Sequence, residues 1–496
     1  MTLWLTLIAA AFSIPGHSTP GQPGTLDTTF AADSPLGGGK FMASLGASHA
    51  WATGIAVQPD GKLLLSGTCG ANLPYDTCVM RIHSDGSIDT SFGTAGRVGV
   101  AVSSSESYSI LLQPDGKFVL AGSCYNGSWL LCAARFQANG SLDTSFGSLG
   151  RAGTLVGRSP NGQRAAALQP DGKIVIAGFC EGASNTDFCM VRYNSLGALD
   201  LSFGANGTVV TSVAAGTDRA NALVVQPDGK LMLAGYCSPL ADFSDASLYD
   251  SCAVRYNADG SVDTSFGSGG KLIAPADGFE DRAKAIALQP DGKIVLAGFC
   301  NSQLCLSRYD KNGSPDPIFG SNGKVLTNFG SGSDWGPAVV VQPDGKLVIA
   351  GKCFVSFKTV FCAQRYFDNG TLDVSFGTSG SVTTTVADVD DRPYALALQN
   401  DGKLVVVGSC IADGLVQFCA VRYDGGPFGY KNCSMDIDGD NRVLATTDSL
   451  IHTRIALGIT GPAVVGGITF APNATRNTWP LIREFLVTQC GMSLVQ

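Results

Sequence analysis

The residues with the clearest chemical spacing lie near the C-terminus, in "CSMDIDGDNRVLATTDSLIHTRIALGITG". Asp436, Asp438 and Asp440 occupy positions one, three and five of a calcium-type loop, and Arg442 offers a backbone carbonyl at position seven. Three carboxylates at alternate positions converge on one hard cation, and Gly439 relaxes the chain between them. The closing acid, Asp448, falls one place late, with Thr447 at position twelve. One Ca²⁺ is the expected cofactor. Thr446 or Thr447 can cap a following helix with an apolar face of Leu450, Ile451 and Ile455, and a second helix is expected after Pro480.

Cysteine supplies the second pattern. The sixteen cysteines form spaced pairs: Cys69–Cys78, Cys124–Cys132, Cys180–Cys189, Cys237–Cys252, Cys300–Cys305, Cys353–Cys362, Cys410–Cys419 and, bracketing the acidic loop, Cys433–Cys490. None is a CxxC pair, so structural disulfides are favoured over redox or metal thiols. With seven pairs at one recurring place, each is expected to close a hairpin and to clamp the outer strands of a repeated unit.

A third set recurs seven residues before a repeated Gln: Trp51, Glu106, Gly162, Arg219, Arg282, Trp335 and Arg392. Asp218, Asp281 and Asp391 directly precede three of the arginines. Arg, Trp and Asp gathered at one mouth can hold a sugar or an anionic group by stacking and bidentate hydrogen bonds. The competing reading is a solvated turn before a strand. Recognised catalytic motifs are missing: there is no HExxH, GxSxG or Walker-type loop, and the chain has four histidines. Scattered acids can still converge from distant elements, which keeps a glycosidase or lyase as the alternative.

The elements that must position these residues are written as a repeat. "QPDGK" begins at Gln58, Gln113, Gln169, Gln226, Gln289 and Gln342, with "QNDGK" at Gln399, at spacings of 53 to 63 residues. One unit, "GTVVTSVAAGTDRANALVVQPDGKLMLAGYC…SCAVRYNADG", reads as four short strands: A "TVVTSV", B "ANALVVQ", C "KLMLAGYC" and D "CAVRYN". Asp-Gly makes a tight BC turn. The expected fold is all-β, a seven-bladed β-propeller of four-stranded antiparallel blades, plus a small α-helical calcium-binding C-terminal module. A joint of the type LDxSF follows strand D in six units, and the seventh has none. "LDTTF" at residues 26–30 stands alone before the first unit, where it can close the ring.

An Arg three residues after the second Cys recurs in all seven units (Arg81, Arg135, Arg192, Arg255, Arg308, Arg365, Arg422), so it marks scaffold, with the joint Asp as its expected ion partner. The BC turns and DA joints share one constant face; the AB and CD loops share the opposite, variable face, which is the candidate binding face. The Asn-Gly-Ser/Thr tripeptides at Asn126, Asn139, Asn206, Asn312 and Asn369 read as turns before glycan sites.

The QPDGK…LDxSFG pattern over residues 25–424 resembles the delta-60 repeat family, which implies a propeller-like extracellular protein and carries no catalytic residues with it. Residues 433–491 resemble a dockerin-type module through one loop; "FAPNATRNTWP" offers no acids for a second, which argues against cohesin docking.

Net charge of −8 with no basic run argues against a nucleic-acid partner. Leu3 to Ile14 is apolar except Thr6 and Ser13, too short to span a bilayer, and fits a secretory signal cleaved after Ser18. The expected organisation is therefore signal 1–18, leader 19–39, propeller 40–424, linker 425–432 and module 433–496. The expected protein is secreted, extracellular or periplasmic, with no span in the mature chain. It is read as a non-catalytic binding or surface-display propeller whose partner is a polysaccharide or a cell-surface protein.

Overall fold

A computed structural model describes residues 22–45, 49–70, 76–100, 106–158, 160–183, 185–240, 249–274, 280–300, 303–327, 335–355, 358–387 and 390–426; C-terminal to these it describes 437, 447, 450–451, 454, 461–471 and 474–488. Twenty-eight strands, β1–β28, form seven four-stranded antiparallel sheets. The molecule is a seven-bladed β-propeller, and among the described residues there is almost no helix.

Blades start one strand later than the sequence units. "TVVT" (β13, Thr208–Thr211) pairs with β12 (Thr186–Tyr193) of the preceding sheet. Strand B therefore opens each blade on the inside, and the strand A that follows in sequence closes it on the outside. A four-residue outer strand leaves little unpaired backbone on the rim.

The same offset closes the ring. The last three strands of blade seven, ending in β28 (Leu415–Tyr423), lack an outer partner from their own stretch of chain, and β1 (Lys40–Ala43) supplies it. The preceding "LDTTF" serves as that blade's joint: Leu26 bridges Tyr423, and the Asp27 amide donates to the Arg422 carbonyl. Phe30 and Phe41 then lie in one buried cluster with Val405 and Phe418 of blade seven and Leu65 and Met80 of blade one. The other cores likewise sit between blades, for example Phe188, Met190 and Phe203 against Leu231, Val254 and Tyr256.

Every joint is built alike. The repeated Arg pairs with the joint Asp: Arg81–Asp89 and Arg135–Asp143 at 2.8 Å, Arg192–Asp200 at 2.9 Å, Arg255–Asp263 at 2.7 Å, Arg308–Asp316 and Arg365–Asp373 at 2.9 Å, and Arg422–Asp27 at 2.7 Å. Its guanidinium lies over the fully buried joint Phe, as Arg192 does over Phe203 at 4.4 Å. It also donates to a carbonyl of the next blade, as Arg81 does to Ala138 at 2.7 Å and Arg422 does to Ser84. One side chain thus binds joint, core and neighbour, which explains its recurrence.

The seven cysteine pairs of the ring are disulfides, with Cα–Cα distances of 5.7 to 6.0 Å. They link the second and third strands of each blade, so they clamp its middle rather than its outer strands; the offset of blade from repeat accounts for the difference. Cys433 and Cys490 lie outside the described residues. The C-terminal part has its own small core of Ile437, Ile451, Val464, Trp479 and Ile482, with a helix over Trp479–Thr488.

Candidate functional site

The inner strands of the seven blades are His49–Val57, Glu106–Leu112, Pro160–Leu168, Asp218–Val225, Asp281–Leu288, Trp335–Val341 and Asp391–Leu398. Each breaks register near its start, on the variable face. The extra residue is Thr53, Tyr108, Arg164, Asn221, Lys284 or Tyr394, and in blade six the break spans Gly336 and Pro337. A β-bulge bends a strand and re-aims a side chain. The repeated Gly of strand C makes room for it. A Cβ on Gly67 would stand 1.7 Å from the Trp51 carbonyl oxygen, and one on Gly235 would stand 1.9 Å from that of Arg219. That Gly lies directly opposite the second Cys of each pair, as Gly235 does opposite Cys252.

The ring position seven residues before the motif Gln falls on these strand starts. Trp51 is half-buried and stacks on His49, ring centroids 5.6 Å apart. Trp335 opens the inner strand of blade six, opposite Lys352. Arg392 is exposed and ion-paired at 2.5 Å with Asp390. Arg219 lies 4.7 Å above the Phe179 ring of the preceding blade. Arg282 lies 4.7 Å from the Tyr236 ring and 4.5 Å from the Tyr249 ring, and pairs with Glu280.

The three acids take a different place. Asp218 and Asp391 are fully buried, and Asp281 nearly so. The Val213 and Ala214 amides donate to the Asp218 carboxylate at 2.6 and 3.1 Å. Val386 and Ala387 do the same for Asp391 at 2.7 and 3.1 Å. Lys324 reaches Asp281 at 3.0 Å. The Asp218 and Asp391 carboxylates hold the incoming AB loop, and Asp281 ties down the outer strand of its own blade through Lys324. Burial pushes Asp218 up to about 7, with Asp187 adding to the rise, and pushes Asp391 up to about 6.

Sequence reasoning passed over two cations. Arg164 and Lys284 sit at bulges, off the seven-residue spacing. Arg164 lies 5.4 Å from the Phe179 ring and Lys284 5.3 Å from the Tyr236 ring. Burial, then the charges of Arg282, Arg164 and Arg219, push the Lys284 ammonium down to about 8. Blades three to five therefore present four cations on aromatic faces, with Glu280 as the nearby acid. The usable signal was an Arg or Lys five residues before the motif Gln in those two units.

Elsewhere on the variable face, the blade-two hairpin tip carries Tyr125 edge-on to Trp129 at 5.6 Å. A groove of about 1280 Å³ between the outer strands of blades four and five, lined by Lys271, Ile273, Lys324 and Leu326, lies away from this mouth. A smaller groove of about 750 Å³ between blades one and two includes Arg97 and Asn139, so such grooves follow from blade spacing. The turn reading of the Asn-Gly tripeptides fits Asn139, whose Oδ1 accepts from the Ser141 amide at 2.9 Å.

The calcium-loop residues Asp436, Asp438, Asp440, Arg442 and Asp448 lie outside the described residues. Of their neighbours, Ile437 and Thr447 are described and both are buried. Arg476 donates to the Ile437 carbonyl at 2.8 Å, and the Ile451 amide donates to the Thr447 carbonyl at 2.9 Å. Among the described residues no three His, Cys, Asp or Glu side chains gather to hold a metal, and no helix is long and apolar enough to cross a membrane.

Six stretches, 58–92, 113–146, 169–203, 226–266, 289–319 and 342–376, match the family described as "Domain of unknown function (DUF5122) beta-propeller". Each runs from the motif Gln to the joint Phe. No curated protein matches the sequence. Similar solved structures include a virginiamycin B lyase from Staphylococcus aureus at 10% identity, covering 77% of this chain and 98% of that one, TM-score 0.43. Drosophila Semaphorin 1b, extracellular domains 1–2, is similar at 10% identity over 81% and 88%, TM-score 0.43. Regucalcin, a calcium-binding protein from Agrobacterium tumefaciens, is similar at 12% identity over 77% and 92%, TM-score 0.33. These proteins differ in function from one another.

Proposed function

For a chain carrying six DUF5122-type propeller repeats, we propose a secreted, non-catalytic binding propeller that holds an extracellular ligand, a carbohydrate first, at the variable-face mouth of its ring. The observation that carries this reading is the unequal equipment of one repeated position. The scaffold repeats its Arg–Asp–Phe joint seven times, yet the start of the inner strand carries Trp51, Arg219, Arg282, Trp335 and Arg392 in different blades. Stacking rings and guanidinium forks suit the apolar faces and hydroxyls of sugars. Seven disulfides in the ring fit an oxidising compartment.

In this reading the buried carboxylates Asp218 and Asp391 brace the mouth by holding its AB loops, and Asp281 braces it through Lys324. The C-terminal module is a calcium-ordered appendage in this reading, with Asp436, Asp438, Asp440, the Arg442 carbonyl and Asp448 around one Ca²⁺. The test is a panel of neutral and acidic polysaccharides, scored for retention of the mature protein and for release of products. Retention without products supports the binding reading; product release replaces it with a glycosidase or lyase.

A further inference from the structure

Blades three, four and five concentrate positive charge in one place. Arg164, Arg219, Arg282 and Lys284 come from three successive inner strands. Arg164 and Arg219 share the Phe179 ring, Arg282 and Lys284 share the Tyr236 ring, and Arg219 stands directly opposite Tyr236 in the blade-four sheet, so the four gather at the start of the blade-four strand. Asn221, the bulge residue of that strand, donates to the Ala283 carbonyl at 2.8 Å and ties it to the next blade.

Like charges held this close repel one another, and Glu280, paired with Arg282, offsets one of them. Arg219 has no carboxylate partner among the described residues, and its Nε is buried without an acceptor. The aromatic rings of Phe179, Tyr236 and Tyr249 hold the guanidinium groups by their flat faces. Stacking fixes a guanidinium plane and orients its in-plane N–H donors, the geometry that meets an oxyanion. Tyr236 and Tyr249 are themselves braced edge to face, 4.9 Å apart. The result is a rigid, electropositive, hydrogen-bond-donating wall, which is what a multivalent oxyanion requires.

We propose that Arg164, Arg219, Arg282 and Lys284 form an anion-binding subsite that takes a carboxylate, sulfate or phosphate group, and that the ligand class of the mouth is an acidic polysaccharide. The inference rests on the binding reading of the variable face and narrows it. An oxyanion seated there relieves the repulsion and raises the affinity of Lys284 for its proton. By linkage, anion affinity falls as pH rises through about 8, where Lys284 loses its charge. The other groups facing Lys284 are Arg164, Arg219, Arg282, Glu280 and the Tyr236 ring.

The test uses the full mature chain. Amine acylation of Lys284, read by peptide mapping against pH, is compared without anion, with inorganic sulfate, with phosphate, and with polygalacturonate or dextran. Slowed labelling and an upward-shifted midpoint with polygalacturonate, but not dextran, are expected. Protection by the inorganic ions alone keeps the subsite and removes the polysaccharide assignment. Arg219→Gln should weaken polygalacturonate binding about tenfold while leaving the melting temperature unchanged. Unprotected Lys284 with every anion overturns the inference. If dextran and other neutral glycans are still retained through Trp51, the broader binding reading survives that failure.

Discussion

Arg422 and Asp27 are separated by 395 residues of chain and meet at 2.7 Å. The contact copies the Arg–Asp pair that every other joint forms eight residues apart, as Arg81 and Asp89 do. It therefore makes the N-terminal segment the seventh joint. Lys403 joins the pair, and burial, which by itself raises the Asp27 carboxyl, is overcome by Lys403, Thr29 and Arg422 to hold it at about 2.

Breaking this pair leaves the buried Arg422 without its counter-ion. Asp27→Ala should lower stability by about 3–5 kcal/mol, the usual cost of stranding a buried charge. Asp33→Ala, an exposed change six residues on in the same segment, should cost little. Equal denaturant midpoints for the two variants would show that the N-terminal joint adds nothing to closure.

Asp218 and Asp391 predict an unusual pH dependence. Their folded values, about 7 and about 6, lie above the ordinary carboxylate range because of burial. The folded state holds protons that the unfolded chain releases, so this stability is full in acid and is lost as pH rises through about 6 to 7. Asp27 and Asp200, held at about 2, contribute in the opposite sense and lose their share as pH falls toward that value. Stability should peak in mild acid, around pH 4–5. Unfolding curves from acid to mild alkali check this, and Asp218→Asn should flatten the decline toward neutral pH. A stability maximum at neutral pH that the substitution leaves in place would contradict the assignment.

The disulfides should differ in worth by loop length. Cys237–Cys252 closes a 15-residue separation and Cys300–Cys305 one of 5. The chain-entropy relation gives about 3 kcal/mol for the first and about 2 kcal/mol for the second. Paired Cys→Ser variants, compared by chemical denaturation, should rank in that order. The reverse order would mean that native-state contacts of the short hairpin outweigh the entropy of the unfolded chain.

The legible part of this molecule was what repeats. QPDGK, the joint, the paired cysteines and the Arg could be counted, and the count led to seven blades and to "LDTTF" at 26–30 as the spare joint. The strands were legible to within one or two residues at their ends, as "TVVTSV" shortens to Thr208–Thr211 and "ANALVVQ" starts earlier, at Asp218, but their membership was not: "TVVT" has the same local pattern whether it pairs forward or back. Pairing with β12 is a long-range choice, set by where the joint delivers the chain. The bulges were hidden because one extra residue changes no composition, and with them went Arg164 and Lys284. Asp218 and Asp391 looked like surface acids, since nothing local reveals that two backbone amides will fold over each.

The C-terminal loop gives a separate prediction. Asp436, Asp438 and Asp440 without a cation repel one another, so Ca²⁺ should bind the folded chain and stabilise it by mass action. Mg²⁺ should substitute poorly, because a flexible ring of carboxylate and carbonyl oxygens suits the larger ion. Calorimetric titration of the full chain, with Asp438→Ala as control, should show calcium heat in the parent and a loss of it in the variant. Equal heats would leave the loop as an acidic turn.

The account depends most on which face of the ring binds. The direct measurement is retention on the polysaccharide panel of three proteins: the parent, Trp51→Ala with Trp335→Ala, and Leu201→Ala, whose target is an exposed joint residue of the constant face. The account predicts that the double variant keeps the parent's melting temperature and loses about tenfold or more in affinity, as expected when stacking rings are removed, while Leu201→Ala binds like the parent. Unchanged binding in the double variant, or loss in Leu201→Ala, would contradict it.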